Sequence, residues 1–504
     1  MDRNAFSDIQ AVAAMPDLEV LADLIAQHVR PRKGSAADPL SILIFLAARW
    51  AFGSANQADS TFLTTPIWEW IRLSALTVGR VLPERPPTFD QLRHLRLAAD
   101  DGLHEALSIA FSQVSIPLAK QIGLLTPEPG ARWDAPSPTT VIYGDGSVVA
   151  PLSSVTLDDN GEVVGSRSRD HDGVPAKPRF GPRFKGKKGD EALSGLPITI
   201  VGCHGRKRWQ RVVLGIDLFF DRNEIGSSMK LFRRVKDLAG GGVTHIVYDR
   251  LMAGTHMREI MKMNILPIVA MPEAASRSSH LVLPVKLQRH GYRSAGTREK
   301  RKGKGARHRQ AEKVAPKERL ALRFFEVVEH EVPTGTCVHE LWGLDGAIVT
   351  VAPGQQVTLD SPYVPCVELA WDQLGDGAHP IGHLKVPCRH GTFTTVIDFA
   401  ADRKGRNASD QPLALADHIR ALHEAMTNWG DLEGLRSDVE STFSWLKQLL
   451  PRNRAGSLAA KDFFLDMIGA GLLCNAIAWD VHVSQHTECA QHEAEKGRRH
   501  ALRS

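Results

Sequence analysis

The sequence predicts an α/β protein with a helical N-terminal domain, a mixed-sheet core and a β-rich insertion that divides the core. Apolar residues recur at helical spacing through residues 1–135. After a proline-rich linker, β-branched runs and helical patterns follow in the order β-β-β-α-β-α-β. Strand-like runs then dominate as far as residue 425. We therefore expect a helical domain over 1–135, the first part of the core over 136–271, the insertion over 272–425, the C-terminal helices of the core over 426–482, and a polar tail over 483–504.

Composition indicates a large soluble protein. The chain has 504 residues, of which 43% are hydrophobic and 24% charged, so it is long enough for several cores. No window reaches the roughly 18 to 20 uninterrupted apolar residues of a membrane span. The first ten residues lack the pattern of a signal or transit peptide. Six cysteines without regular spacing fit a reducing compartment. We therefore expect a cytoplasmic protein without disulfides and without a membrane partner.

The cations are clustered, although the formal net charge is only +5. Between Arg293 and Arg309, eight Lys and Arg residues accompany one acid, Glu299. A second basic run spans 177–190. Such runs are often solvated loops, and near a phosphodiester-cutting site they favour phosphate contacts. The residues of the first run that we expect to bind DNA are Arg298, Lys300, Arg301, Lys302 and Lys304.

The helical domain contains one candidate DNA-reading helix. Thr88 follows two prolines and is placed to cap a helix that carries Arg93 and Arg96. An ordinary amphipathic helix explains the same pattern.

Two aspartates follow or interrupt strands of the predicted core. Asp145 comes after an apolar strand and precedes Gly146, which leaves room for a substrate backbone; the alternative is a hairpin turn, because Asp-Gly favours one. Asp249 ends the run HIVY, where open α/β sheets place their chemistry. The alternative for Asp249 is a cap for the next helix. Asp170 and Asp172 are alternatives to Asp145 as the first carboxylate, but they lack a preceding strand.

Glu440 lies on a predicted helix with Arg436 and Lys447. Their spacing brings the three side chains within about 40° of one another around the helix. An ion-pair ladder on a solvated helix is the alternative. Three acids suit a pair of divalent cations, which would activate a nucleophile and stabilise the leaving oxygen of a phosphodiester.

These residues resemble the DDE transposases of bacterial insertion sequences, whose core is ribonuclease H-like. The resemblance is to the cut-and-paste branch with a β-rich insertion before the glutamate helix. That branch carries Tyr-x2-Arg-x3-Glu-x6-Lys, and Arg436, Glu440 and Lys447 match it, whereas position 433 is Glu instead of Tyr. Asp249 is followed by Arg250 and not by the Gly-Tyr pair often found there.

The resemblance implies a bacterial, nucleoid-associated DNA transposase that cleaves and joins DNA at the ends of an insertion sequence. Asp145, Asp249 and Glu440 would bind Mg²⁺, for which Mn²⁺ can substitute. Arg436, Lys447 and Arg250 would contact double-stranded DNA at the element ends and the target. A homodimer on DNA is expected, because paired ends need paired active sites.

Three other functions stay open. The first is a nuclease of the same fold without strand transfer, and the second is a DNA-binding derivative that has lost catalysis. The third is a zinc-stabilised β scaffold, for which the candidate ligands would be Cys337, His339, Cys366, Cys388 and His390. Trp445 on the glutamate helix could stack on an unpaired base, although core packing is the usual role of a tryptophan.

Overall fold

The computed structural model describes most of the chain, in two compact units. The first unit comprises 1–127, 138–243 and 438–504, and the second comprises 128–137 and 244–437. Both contain helices and strands, so the protein is mixed α/β. The described residues are 4–30, 37–64, 66–100, 102–149, 156–157, 163–165, 196–207, 209–219, 223–271, 280–282, 319–404, 412–435, 455, 457 and 460–501, with the side chains of the last helix described as far as 487.

The first unit begins with the predicted helices, and several of their starts follow from capping side chains. Asn4 and Thr88 each form a capping box, and Asp38 accepts a hydrogen bond from the amide nitrogen of Ser41. The helices are α1 (Ala5–Ala14), α2 (Leu18–His28), α3 (Pro39–Ala51), α4 (Ala55–Leu63), α5 (Ile67–Leu76), α6 (Phe89–Ala98) and α7 (Leu103–Gln121).

The strands of the first unit form an antiparallel arrangement with β4 in the middle. β4 pairs with β1 on one side and with β5 on the other. Almost every residue of β4 and β5 is buried, because helices pack against these strands. The elements are β1 (Val141–Val149), β2 (Thr156–Leu157), β3 (Val163–Gly165), β4 (Leu196–His204), β5 (Arg211–Leu218) and α8 (Glu224–Ala239).

A long C-terminal helix completes the first unit. We label the second-unit helix Trp429–Gly434 α10 and this one, Ala460–Ala501, α11. Its part Ala460–Thr487 is long and apolar enough to cross a membrane, yet 72% of its apolar window is buried inside the protein. Asn475 connects the helix to β5 inside this unit. Its side chain accepts from the Val213 amide nitrogen at 2.8 Å and donates to the Val213 carbonyl oxygen at 2.9 Å. A core role explains its apolar character.

Helix α6 is fastened to α11 by a buried ion cluster. Asp466, 1% exposed, pairs with the guanidinium groups of Arg49 and Arg96 and with the hydroxyl of Ser457. Burial lowers the pKa of Arg96. Arg96 therefore has a packing role, whereas Arg93 on the same helix is exposed. Of the two arginines considered for DNA reading, the structure leaves Arg93 accessible.

The second unit opens with a parallel strand pair. β6 (His245–Val247) and β7 (Leu266–Ile268) are joined through α9 (Gly254–Lys262), and His245 pairs with Leu266 in the parallel register. A helical crossover is the usual connection between parallel strands. The predicted β-α-β order at this point is confirmed.

The rest of the second unit is mainly antiparallel sheet. The order of the larger sheet is β11-β10-β9-β8, that of the smaller is β12-β13-β14, and β15 pairs with β16. The strands are β8 (His280–Val282), β9 (Arg319–Val332), β10 (Gly335–Leu344), β11 (Ala347–Val351), β12 (Cys366–Leu374), β13 (Gly377–Cys388), β14 (Gly391–Asp398), β15 (Asp402–Lys404) and β16 (Pro412–Ala414).

Candidate functional site

Asp145 lies within β1 and not in a turn. It pairs with Ile200 of β4, and the antiparallel register continues without interruption through Gly146, opposite Thr199. The hairpin-turn interpretation of the Asp-Gly pair is therefore wrong. The residue is half-buried, whereas the first four residues of β1 are buried. The strand thus carries a carboxylate at the point where it becomes accessible.

A second carboxylate, which the sequence analysis missed, lies beside Asp145. The amide nitrogen of Gly146 donates a hydrogen bond to Oε1 of Glu224, at 3.1 Å. A Cβ atom at position 146 would lie 2.2 Å from Cδ of Glu224. Only a glycine lets this carboxyl group come so close to the strand. Two acids therefore flank one peptide unit, Asp145 through the chain and Glu224 through space.

Glu224 is held there by the start of α8. Asn223 caps the helix, its side chain accepting from the amide nitrogen of Gly226 at 3.2 Å. Glu224 is the first helical residue, where the helix dipole favours a negative charge. The signal available in the sequence was an Asn-Glu pair at the start of a helix after the third long strand. No feature of the neighbouring sequence connects that pair with Gly146.

The sheet face beneath α8 is polar along one row. Thr199 of β4 lies opposite Gly146 of β1 and also opposite Asp217 of β5. Because side chains alternate along a strand, this row lies on the opposite face from Asp145. Burial raises the pKa of Asp217, and Lys230 lies 3.5 Å from its carboxylate and opposes that rise. Glu224 and Asp217 thus lie on the α8 side of the sheet.

Asp249 lies two residues after the end of β6, close to the predicted strand end. Its Oδ1 atom accepts a hydrogen bond from the amide nitrogen of Leu251 at 2.9 Å, which closes a turn. The N-cap position of α9 is Ala253, and the amide nitrogen of Gly254 donates to Oδ1 of Asp417 at 2.7 Å. The helix-cap interpretation of Asp249 is therefore wrong, and the side chain stays half-exposed at the end of its strand.

The surroundings of Asp249 contain the position that departs from the family signature. Arg250 is exposed, and it lines a small pocket with Tyr248, Trp429 and Glu433. Glu433 stands where the resembling family has Tyr. In this chain the pocket is thus lined by one acid and one arginine at its rim, together with two aromatic side chains.

Several predicted site residues lie outside the described part of the chain. This holds for the third acid, for its two flanking cations and for the basic run, and their roles stay predictions. The residues concerned are Glu440, Arg436, Lys447, Arg298, Lys300, Arg301, Lys302 and Lys304, together with Trp445, Asp170 and Asp172.

The described residues give the zinc alternative no support. Among them, no group of three or more His, Cys, Asp or Glu side chains is arranged to hold a metal ion. The ring of His339 packs against Phe393, with centroids 5.4 Å apart. Cys366 donates from its thiol to the carbonyl oxygen of Glu368, and burial raises its pKa to about 12, which disfavours the thiolate that zinc needs.

Comparison of the sequence with protein-family profiles found no match, and comparison with curated proteins found none either.

Proposed function

We propose that this protein is a DNA transposase that cleaves and joins phosphodiester bonds at the ends of an insertion sequence. The observation that carries the proposal is the position of Asp145, half-exposed in an ordered strand, with a second carboxylate bound to the next amide. The carboxylate of Asp145 is the kind of ligand that Mg²⁺ prefers, and the hydrogen bond from Gly146 to Glu224 fixes the backbone next to it.

The order of elements along the chain supports a ribonuclease H-like core. Three long strands, a helix, a strand, a helix and a strand follow one another, with the short β2 and β3 between the first two. Asp145 lies in β1, and Asp249 lies two residues after the end of β6. This is the order on which the sequence resemblance rests.

The chemistry assigns separate roles to the chain's own groups. Carboxylates are the ligands that a hard divalent cation prefers, and Asp145, Asp249 and Glu440 would hold it. When bound, Mg²⁺ would neutralise charge on the scissile phosphate and lower the pKa of an attacking water. Glu224 would fix the backbone next to Asp145, and Arg250 would offer a bidentate contact to a phosphate. Water would attack the phosphorus at the element end and break the P–O3′ bond, and the freed 3′-hydroxyl would attack a target phosphodiester and displace the target's own 3′-oxygen.

The test is Mg²⁺-dependent nicking of a supercoiled plasmid that carries the inverted repeats flanking the gene. The wild-type protein is compared with Glu440→Gln and with Asp249→Asn, which keep shape and remove charge. We expect both variants to bind the DNA and to lose nicking. Equal nicking by wild type and both variants would show that the acids are assigned wrongly.

A strand-transfer assay with precut ends separates the transposase from the nuclease alternative. Joining of the precut end to a target plasmid supports the transposase, and hydrolysis without joining supports the nuclease. If DNA is bound but neither reaction occurs with Mg²⁺ or Mn²⁺, the catalytically inactive derivative is correct. The expected homodimer is tested by measuring the mass of the protein with and without end DNA.

A further inference from the structure

The turn between β4 and β5 combines cations with an aromatic ring. Residues 206–211 read RKRWQR, without an acid. Arg206 and Lys207 are exposed, and Trp209 is half-buried. The Nζ atom of Lys207 lies 5.6 Å from the ring centroid of Trp209, within the range of a cation–π contact. A hairpin turn needs none of these side chains for its own geometry.

Helix α11 brings three more rings to this turn. Trp479, His482 and His486 have the spacing i, i+3 and i+7, which places them on one face of the helix. The ring centroid of His482 lies 6.0 Å from Trp209, 6.2 Å from Trp479 and 4.2 Å from His486. We call Lys207, Trp209, Trp479, His482 and His486 the ring patch.

Lys207 gives the ring patch its positive charge, and the exposed Arg206 precedes it in the chain. Lys207 donates its hydrogen bond to the neutral side-chain oxygen of Gln485, at 3.3 Å. Burial lowers the pKa of His482, and the positive charges of His486 and Lys207 lower it further. Asp480, an acid, directly follows Trp479 in α11. A protein that places cations together in this way creates a field that attracts an anionic partner.

We propose that the ring patch is a nucleic-acid contact surface, where Lys207 meets a phosphate and the rings stack on an exposed base. Flat aromatic rings beside exposed cations match a strand that offers both phosphates and base faces. An acidic peptide would supply the charge but no planar group for the rings. The proposal deepens the proposed function, since transposon DNA would be the ligand, but it concerns binding and not cleavage.

The test measures the affinity of the full chain for labelled single-stranded and duplex oligonucleotides by fluorescence anisotropy, in EDTA and over a range of salt. Lys207→Gln is compared with Arg233→Gln, which removes a charge at an exposed position of α8. We expect Lys207→Gln to bind about tenfold more weakly and to lower the salt-dependence slope by about one, as the loss of one phosphate contact predicts.

A second variant tests the stacking part. Trp479→Leu keeps an apolar side chain, and its urea unfolding midpoint checks the fold. We expect its affinity for the single strand to fall about fivefold or more with an unchanged salt slope. Equal affinities and slopes for Lys207→Gln and Arg233→Gln would overturn the proposal, as would equally strong competition by polyglutamate. Binding that depends on the patch, without any cleavage, would support this proposal and count against the transposase.

Discussion

The amide nitrogen of Gly146 donates to Oε1 of Glu224 at 3.1 Å, and the same carboxyl group fills the space that a side chain at position 146 would need. This relationship links β1 to the first turn of α8, immediately beside Asp145. It explains why a glycine follows the predicted catalytic aspartate inside a regular strand, where glycine is otherwise unfavourable.

Gly146→Ala should destabilise the protein, because the new methyl group meets the Glu224 carboxyl group. Overpacking of this kind costs about 1 to 3 kcal/mol. Glu224→Ala removes the obstacle, so the double variant should be more stable than the two single effects add up to. Urea unfolding of the four proteins measures the coupling. Strictly additive losses would show that the two residues do not interact.

Glu224→Gln separates the hydrogen bond from the charge. The amide oxygen of Gln can still accept from Gly146, so we expect an unfolding midpoint close to that of the wild type. Because one negative charge beside Asp145 is lost, half-maximal nicking should need more Mg²⁺. A Mg²⁺ titration of the nicking rate checks this. Unchanged Mg²⁺ dependence would restrict Glu224 to a structural role.

The buried cluster around Asp466 should be the most sensitive charged site of the first unit. Asp466→Asn leaves Arg49 and Arg96 buried without their carboxylate, which typically costs about 3 to 5 kcal/mol. Asp462→Asn is the control. Asp462 lies 3.9 Å from Arg96 and is 30% exposed, so its loss should cost less than about 1 kcal/mol. Similar losses for both variants in urea unfolding would contradict this account.

His245 should make the second unit sensitive to acid. Burial lowers its pKa from 6.5 to about 4, and its Nε2 donates to the Trp133 carbonyl oxygen at 2.9 Å. The unfolded chain therefore takes up the proton first. The contribution of the neutral, buried His245 to the free energy of unfolding is complete above pH 6.5 and is lost as the pH falls toward 4.

Urea unfolding at several values of pH between 7.5 and 4 measures this loss. His245→Gln should have a flatter pH dependence, whereas His390→Gln, which changes an exposed histidine, should behave like the wild type. Identical pH profiles for all three proteins would contradict the assignment.

The sequence predicted the strands of the first unit well, because their β-branched runs are buried on both faces. For the insertion it predicted that strand-like runs dominate, but not how the strands pair. Strand β13 contains Pro380 and Pro387 yet lies between β12 and β14. Proline in a central strand argues against a strand, so local propensity alone gives the wrong answer. The backbone pairing of β13 with β12 and with β14 outweighs the low strand propensity of its prolines.

The same limit applies to the candidate site. The positions of Asp145 and Asp249 at strands could be predicted, because each follows a recognisable apolar run; their role in a site stays a prediction. Glu224 could not, because its contact with Gly146 joins residues 78 positions apart and depends on how α8 packs on the sheet. Arg96 was interpreted as a possible DNA contact, because a sequence cannot show that Asp466 lies within reach. The periodicity of apolar residues in a sequence does not indicate which charged and polar groups pair over long distances in the chain.

Asp145→Asn tests the central claim most directly. The variant keeps the size of the side chain and its place in β1, and it removes the charge that a divalent cation would need. We predict normal folding, normal DNA binding and the loss of Mg²⁺-dependent nicking by at least about a hundredfold. Nicking at the wild-type rate by a correctly folded Asp145→Asn protein would contradict the account.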